Sequence, residues 1–265
     1  MSFLLANYRI TKPRLKHNLF VVDHKTNMIL NQTLVFFVAL FASSILVLSV
    51  TLSPVAGLNA INILPPGGKP YGLTYEDHIK NFWKWIISFP IPKSPWKDQT
   101  GANCDNGQSA TNSPIFYLSG NGGGKSVRTC KVPAGKALFI PVSPMEESDK
   151  ESPGASIQQL SKDSKKDQDS VTSLYLKIDD KVYNFQELSK YRTHTSAFDV
   201  IFPDNAIFGA TKGNSKSVAD GYYVITEPLP KGTHIIQYKS SLICAGTDCV
   251  EPNFAQDVAY KIIVE

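Results

Sequence analysis

The sequence predicts a mainly β fold: an antiparallel β-sandwich of the immunoglobulin-like or jelly-roll-like Greek-key kind, with one amphipathic helix packed on it and a transmembrane helix ahead of it. Three observations carry this. Residues 34–52, LVFFVALFASSILVLSVTL, run for nineteen residues without a charge. Residues 74–89 place apolar side chains at helical spacing, and from Val171 onward short period-two runs alternate with turn signals.

A helix over 34–52 comes to roughly 28 Å at about 1.5 Å per residue, close to the hydrocarbon thickness of a bilayer. The preceding residues carry Arg9, Lys12, Arg14, Lys16 and Lys25 against Asp23 alone. Basic flanks stay in the cytoplasm, so the chain reads as a cytoplasmic tail (1–33), a signal anchor (34–52), a Pro/Gly tether (53–72) and an extracytoplasmic domain (73–265). Cleavage after Gly57 would release a secreted protein instead; the run's length and its distance from the N-terminus favour retention. The tail accounts for the whole net charge of +4, because the remainder holds 22 basic and 22 acidic residues. Without a basic stripe, nucleic-acid binding is excluded as a function class.

Cys104, Cys130, Cys244 and Cys249 all fall on the exported side, where an even count reads as disulfides. Sequential pairing is expected, since Cys244 and Cys249 flank a turn-like AGTD and Cys104 and Cys130 frame a Gly-rich loop. Neither pair has the C-x-x-C spacing of a zinc site.

The tether, LNAINILPPGGKPYG, contains too much Pro and Gly for regular structure. Thr74 with Asp77 forms a capping-box pattern that starts the helix, and Pro90 ends it. Tyr75, Ile79, Phe82, Trp83, Ile86 and Phe89 share one arc, which is a packing face; Trp85 and His78 sit at its margin, Trp85 as the ring most exposed to a ligand and His78 as a surface histidine. Residues 91–114 read as a long ordered loop whose Asp and Asn serve turns, without the spacing of a calcium loop. SGNGGGKS lacks the first glycine of a phosphate-binding loop and precedes a strand, not a helix; it reads as the connection of a hairpin between 115–118 and 127–132. VPAGKALFIPV reads as a strand, and Ser143 to Ser170 as an exposed, charged excursion with a weak helix over 155–168. A hairpin turning at Asp179–Asp180 follows, then strands over 197–202, 221–226, 233–240 and 258–264.

Taken together, GLTYEDHIKNFWKWIISFP, TGANCDNGQ, RTCKVPAGKALFIPV, LKIDDKV, DGYYVITEPLPKGTHIIQYKS and VAYKIIV resemble a family of uncharacterised exported microbial proteins. The resemblance implies a mostly β single domain with a pair like Cys104 and Cys130 and a Gly-x-His strand, here Gly232 to His234; it implies no activity. The chain departs from that pattern at Asp180, where a turn glycine is common, and in the additional pair Cys244 and Cys249.

No nucleophile elbow, zincin or C-x-x-C motif is present, and Glu146 with Glu147, like Asp179 with Asp180, are sequence neighbours whose side chains should point apart. The first reading is therefore a cell-surface binding or structural module rather than an enzyme, with the membrane as one partner and a surface glycan or protein as another. No cofactor is expected. The alternatives are an enzyme acting on glycans or envelope polymers, using Trp85, Trp96 and loop carboxylates, and a copper or other metal protein using His78, His194 and His234. His234 falls on the expected inward face of its strand, where a hydrogen-bonded core histidine is the plainer explanation. Trp85, Trp96, His78 and His234 are the candidate ligand contacts.

Overall fold

The computed structural model describes residues 61–108, 113–246, 249 and 253–265. The tail expected over 1–33, the charge-free run over 34–52 and the start of the expected tether lie outside the described residues. Among the described residues no helix is long and apolar enough to cross a membrane.

The fold is mainly β. Its strands are β1 (Ile115–Tyr117), β2 (Gly124–Val132), β3 (Ala137–Ser148), β4 (Val171–Ile178), β5 (Lys181–Tyr183), β6 (Arg192–His194), β7 (Phe198–Phe202), β8 (Gly213–Ile225), β9 (Gly232–Ile243) and β10 (Asn253–Val264). They form two sheets: β1-β3-β8-β6 with β7 also on β8, and β2-β10-β9-β4-β5. The helices are α1 (Tyr75–Ile87), α2 (Ile157–Asp169) and the short α3 (Phe185–Leu188). Apolar side chains of both sheets and of α1 merge into a single core.

The sheets are mixed, not purely antiparallel, because β1 runs parallel to β3 and β2 parallel to β10. The predicted hairpin between β1 and β2 is absent, since the two strands belong to different sheets. The glycines between them allow a close crossover: a Cβ on Gly120 would meet Gln256 Oε1 at 2.8 Å and the Trp96 ring at 3.2 Å. Asn121 closes the turn by donating to the Gly124 carbonyl and Ser126 Oγ while its own oxygen accepts from Gly123 N–H.

Helix α1 begins at the predicted capping box, with Thr74 Oγ1 accepting from Asp77 N–H and Asp77 accepting from Thr74 N–H at 3.1 Å each. Tyr75, Ile79, Phe82, Trp83 and Ile86 of its apolar arc are buried, while Phe89 falls beyond the helix and is half-buried, and the Phe82 ring stacks on Phe139 of β3 at 5.1 Å between centroids. The β4–β5 hairpin turns at Asp179, whose φ is +51°. On β10, Val258, Tyr260, Ile262 and Val264 share the buried side as their alternation requires. Both predicted disulfides are present, with Cα atoms 6.0 Å apart for Cys104–Cys130 and 5.9 Å for Cys244–Cys249.

The described part of the tether is pinned to the domain. Ile63 bridges Thr226, Leu64 N–H donates to the Ile225 carbonyl at 2.7 Å, and Tyr75 Oη donates to the Leu64 carbonyl. The apolar Ile61, Ile63 and Leu64 among the prolines pack on the core. The stretch from Ser143 also departs from its predicted exposure, because β3 continues through Ser148 against β8 and α2 covers it.

Candidate functional site

A cleft of about 280 Å³ opens where the end of β3 meets α1, α2 and the β9 and β10 strands of the other sheet. Its acidic wall comes from β3 and the turn after it. A bulge between Pro141 and Ser143 shifts the pairing of β3 with β8, so Glu146 comes opposite Ala219 and Glu147 opposite Val218. Both glutamates line the cleft, together with Glu151. The expectation that Glu146 and Glu147 belong to an exposed, charged excursion is overturned. They lie on a strand, at 5% and 3% exposure.

The carboxyls titrate high for stated reasons. Burial, with the Glu151 charge second, pushes Glu147 up to about 8. Burial lifts Glu151 to about 7, against the hydrogen bond its carboxylate accepts from Ser148 Oγ. Glu146 is raised well above the ordinary range by burial and then by the Glu151 charge. Both Glu146 carboxylate oxygens and the Ser217 hydroxyl are buried without a partner in hydrogen-bonding geometry, although Ser217 and Glu151 lie close enough to act on the Glu146 carboxyl; Oε1 of Gln168, which α2 brings to the same cleft, is unpartnered too. A buried acceptor left without a donor costs roughly 1–3 kcal/mol. Two such residues line one opening.

The remaining wall is aromatic. Trp83 comes from α1, Trp96 from the loop after it, Phe208 from the turn before β8, and Phe254 from β10. Trp96 and Phe208 meet edge to face at 5.4 Å. Phe208 stands at φ +62° and remains 37% exposed, an unusual backbone position for a bulky residue. Arg128 secures Trp96 from behind: its guanidinium donates to the carbonyls of Trp96, Ser119 and Gly120, to Asp98 O and to Tyr260 Oη.

Of the sequence-predicted contacts only Trp96 lines this cleft. Trp85 is half-buried, stacked on Tyr117 at 5.4 Å, with its indole N–H donated to the Asn106 carbonyl. His78 is buried, not at the surface, and its Nε2 lies 2.8 Å from the Pro70 carbonyl. His234 is the buried, hydrogen-bonded histidine that alternation suggested, held between Asp179 and the Pro230 carbonyl at 2.8 Å each. His194 stands on β6 beside Asp220 in a separate depression. The three histidines therefore do not converge, and the metal reading loses its proposed ligands. Among the described residues one group has metal-like spacing, Asp167 with Cys244 and Cys249, but its sulfurs are bonded to each other.

Glu151, Gln168, Phe208 and Phe254 were not singled out in the sequence, and Glu146 with Glu147 were set aside as neighbours pointing apart. The signal that could have found them is Met145 within PMEES, an apolar residue directly continuing a strand-like run.

No family model matches the chain, and no curated protein matches it. Among solved structures, a chain from the structure of PbICP-C in complex with falcipain-2 is 12% identical, over 57% of this chain and 98% of that one, at a TM-score of 0.22. The solution structure of amebosin is 6% identical, over 52% of this chain and 95% of that one, at a TM-score of 0.16. Neither score amounts to a shared fold.

Proposed function

We propose that the chain is an extracytoplasmic ligand-binding module, held at the membrane by an uncleaved helix over 34–52, with the acidic and aromatic cleft as its ligand seat. In this reading the two sheets are the sandwich that presents the cleft outside the cell, and two disulfides suit that oxidising side of the membrane. The observation that carries it is that Glu146, with both carboxylate oxygens buried and unpartnered, and Gln168, with its Oε1 likewise, line one aromatic-walled opening. A ligand that supplies their donors recovers the free energy that their burial costs.

The glycan-active enzyme is the second reading, favoured by Glu147 at about 8, a carboxyl still protonated at neutral pH as a general acid must be. Such enzymes pair that acid with an ionised carboxylate, so the two environments push the pKa values apart. Here burial pushes Glu146, Glu147 and Glu151 upward alike, which supports binding over hydrolysis.

Thermal unfolding of the detergent-solubilised chain with a panel of short oligosaccharides, alkylammonium ions and divalent metals tests the module reading. At a ligand concentration of about 100 times Kd, one class should stabilise the chain by about 2.7 kcal/mol. That shift should vanish in Glu146→Gln and shrink in Trp96→Leu. Shifts that persist in both variants would place the ligand elsewhere, and release of reducing ends from an oligosaccharide would favour the enzyme.

A further inference from the structure

The cleft's chemistry narrows what it binds. Among the described residues that line it are three carboxyl groups and no lysine, arginine or histidine, so nothing in the wall offsets negative charge. Among the lining residues the side-chain atoms without partners are acceptors, both oxygens of Glu146 and Oε1 of Gln168, on residues that are 5% and 1% exposed; the Ser217 hydroxyl on β8, outside the lining, is unpaired as well. What they require is a positively charged group that carries N–H or O–H donors.

A bare metal ion meets only part of that requirement. Among the described residues the oxygens of Glu146, Glu147 and Glu151 do not gather, as a set of three, within 4.8 Å of one another. A hydrated ion would also gain nothing from the indole of Trp96 or the phenyl rings of Phe208 and Phe254, whereas an organic cation is attracted by aromatic rings. A neutral sugar could stack on the same rings but brings no positive charge to draw these raised carboxyls into their ionised form. A quaternary ammonium supplies charge without donors. The group that satisfies every part of the wall is a primary ammonium, with three N–H donors for the orphaned oxygens and a short alkyl stem for the rings. A volume of about 280 Å³ suits such a head and a few carbons.

We propose that the cleft binds a primary alkylammonium ion, its –NH3+ donating to Glu146 and to Gln168 Oε1 and its stem lying against Trp96, Phe208 and Phe254. This rests on the cleft being the ligand seat, and the experiment separates the two claims. The full chain in non-ionic detergent is titrated with n-butylammonium chloride, following tryptophan fluorescence and heat, in parallel with butan-1-ol, tetramethylammonium chloride, calcium chloride and cellohexaose. Butylammonium should bind saturably and about ten-fold or more tighter than butanol or tetramethylammonium, since each of those lacks either charge or donors. Glu146→Gln should weaken it about ten-fold, and Gln168→Leu serves as the second variant should Glu146→Gln fail to fold. Equal binding of butanol or tetramethylammonium overturns the proposal. Saturable binding of calcium or cellohexaose that requires Glu146, with no response to butylammonium, overturns it while leaving the cleft a ligand seat. No saturable binding by any of the five probes overturns both.

Discussion

Two buried polar sites lie close together in this molecule and differ in one respect. Arg128, at 1% exposure, has its donors matched: Nε reaches Asp98 O at 2.7 Å, Nη1 the Tyr260 hydroxyl at 2.6 Å and Nη2 the Gly120 carbonyl at 3.1 Å. Its guanidinium also lies 5.4 Å from the Tyr260 ring centroid. Glu146, similarly buried, has neither oxygen in hydrogen-bonding geometry, with Ser217 and a second carboxyl, Glu151, acting on it as side-chain neighbours. A fully satisfied network fixes a structure, while a half-satisfied one costs stability wherever nothing external completes it. On the proposed reading, the difference separates a residue kept for the fold from one kept for a ligand. The two are linked, since the Trp96 carbonyl that Arg128 holds belongs to a ring in the wall of the cleft.

The comparison predicts opposite responses to removing the charge. Arg128→Met strands several buried acceptors at once and should cost about 3–5 kcal/mol in denaturant unfolding. A loss under about 1 kcal/mol would mean that the network is not structural. Next in size are the disulfides, one near each site. On loop entropy, replacing Cys104 and Cys130 by serine should cost about 3.6 kcal/mol, and replacing Cys244 and Cys249 about 2.2. The reverse order would show that the smaller loop braces the cleft by more than chain entropy.

The pH dependence divides the carboxylates in the same way. In the unfolded chain glutamates titrate near 4.3. Folded Glu147 and Glu151 hold their protons to about 8 and about 7, so between these limits the folded state binds more protons than the unfolded one. Their contribution is complete below the unfolded pKa and is lost as pH rises through 7 and 8. Glu76 behaves oppositely. The ion pair with Lys80, then hydrogen bonds from Ser196, lower it to about 2, so its contribution is present above the unfolded pKa and lost as pH falls toward 2. The melting temperature without ligand should therefore peak near pH 5 and fall toward pH 8; a rise across that interval would contradict the assignment. The smallest effect is Tyr260→Phe, which removes one of Arg128's partners and should cost about 1 kcal/mol in the same unfolding assay.

The fold was more legible than the site. Helix α1 announced itself through a capping box and an apolar arc, and β10 through strict alternation, because in both the apolar residues alone mark the buried face. The disulfides followed from an even count and spacing. The cleft hid behind its polarity. Glu146, Glu147 and Ser148 looked like a solvated loop, yet they pair with Ala219, Val218 and Ser217 of β8, itself begun by the polar run GNSKS. A charged run usually marks exposure, and that rule fails here because Glu146 and Glu147 are buried on a strand. Trp96 was legible as an aromatic in a loop; Phe208 and Phe254 reach the cleft only through the tertiary fold.

The most direct test replaces Glu146 by methionine and compares unfolding with the unmodified chain at pH 8 without ligand. A carboxyl kept for a ligand is a burden on the empty domain, so the account predicts that Glu146→Met is more stable by at least about 1 kcal/mol. A variant that melts lower would mean that Glu146 supports the fold, and that the cleft is not a ligand seat.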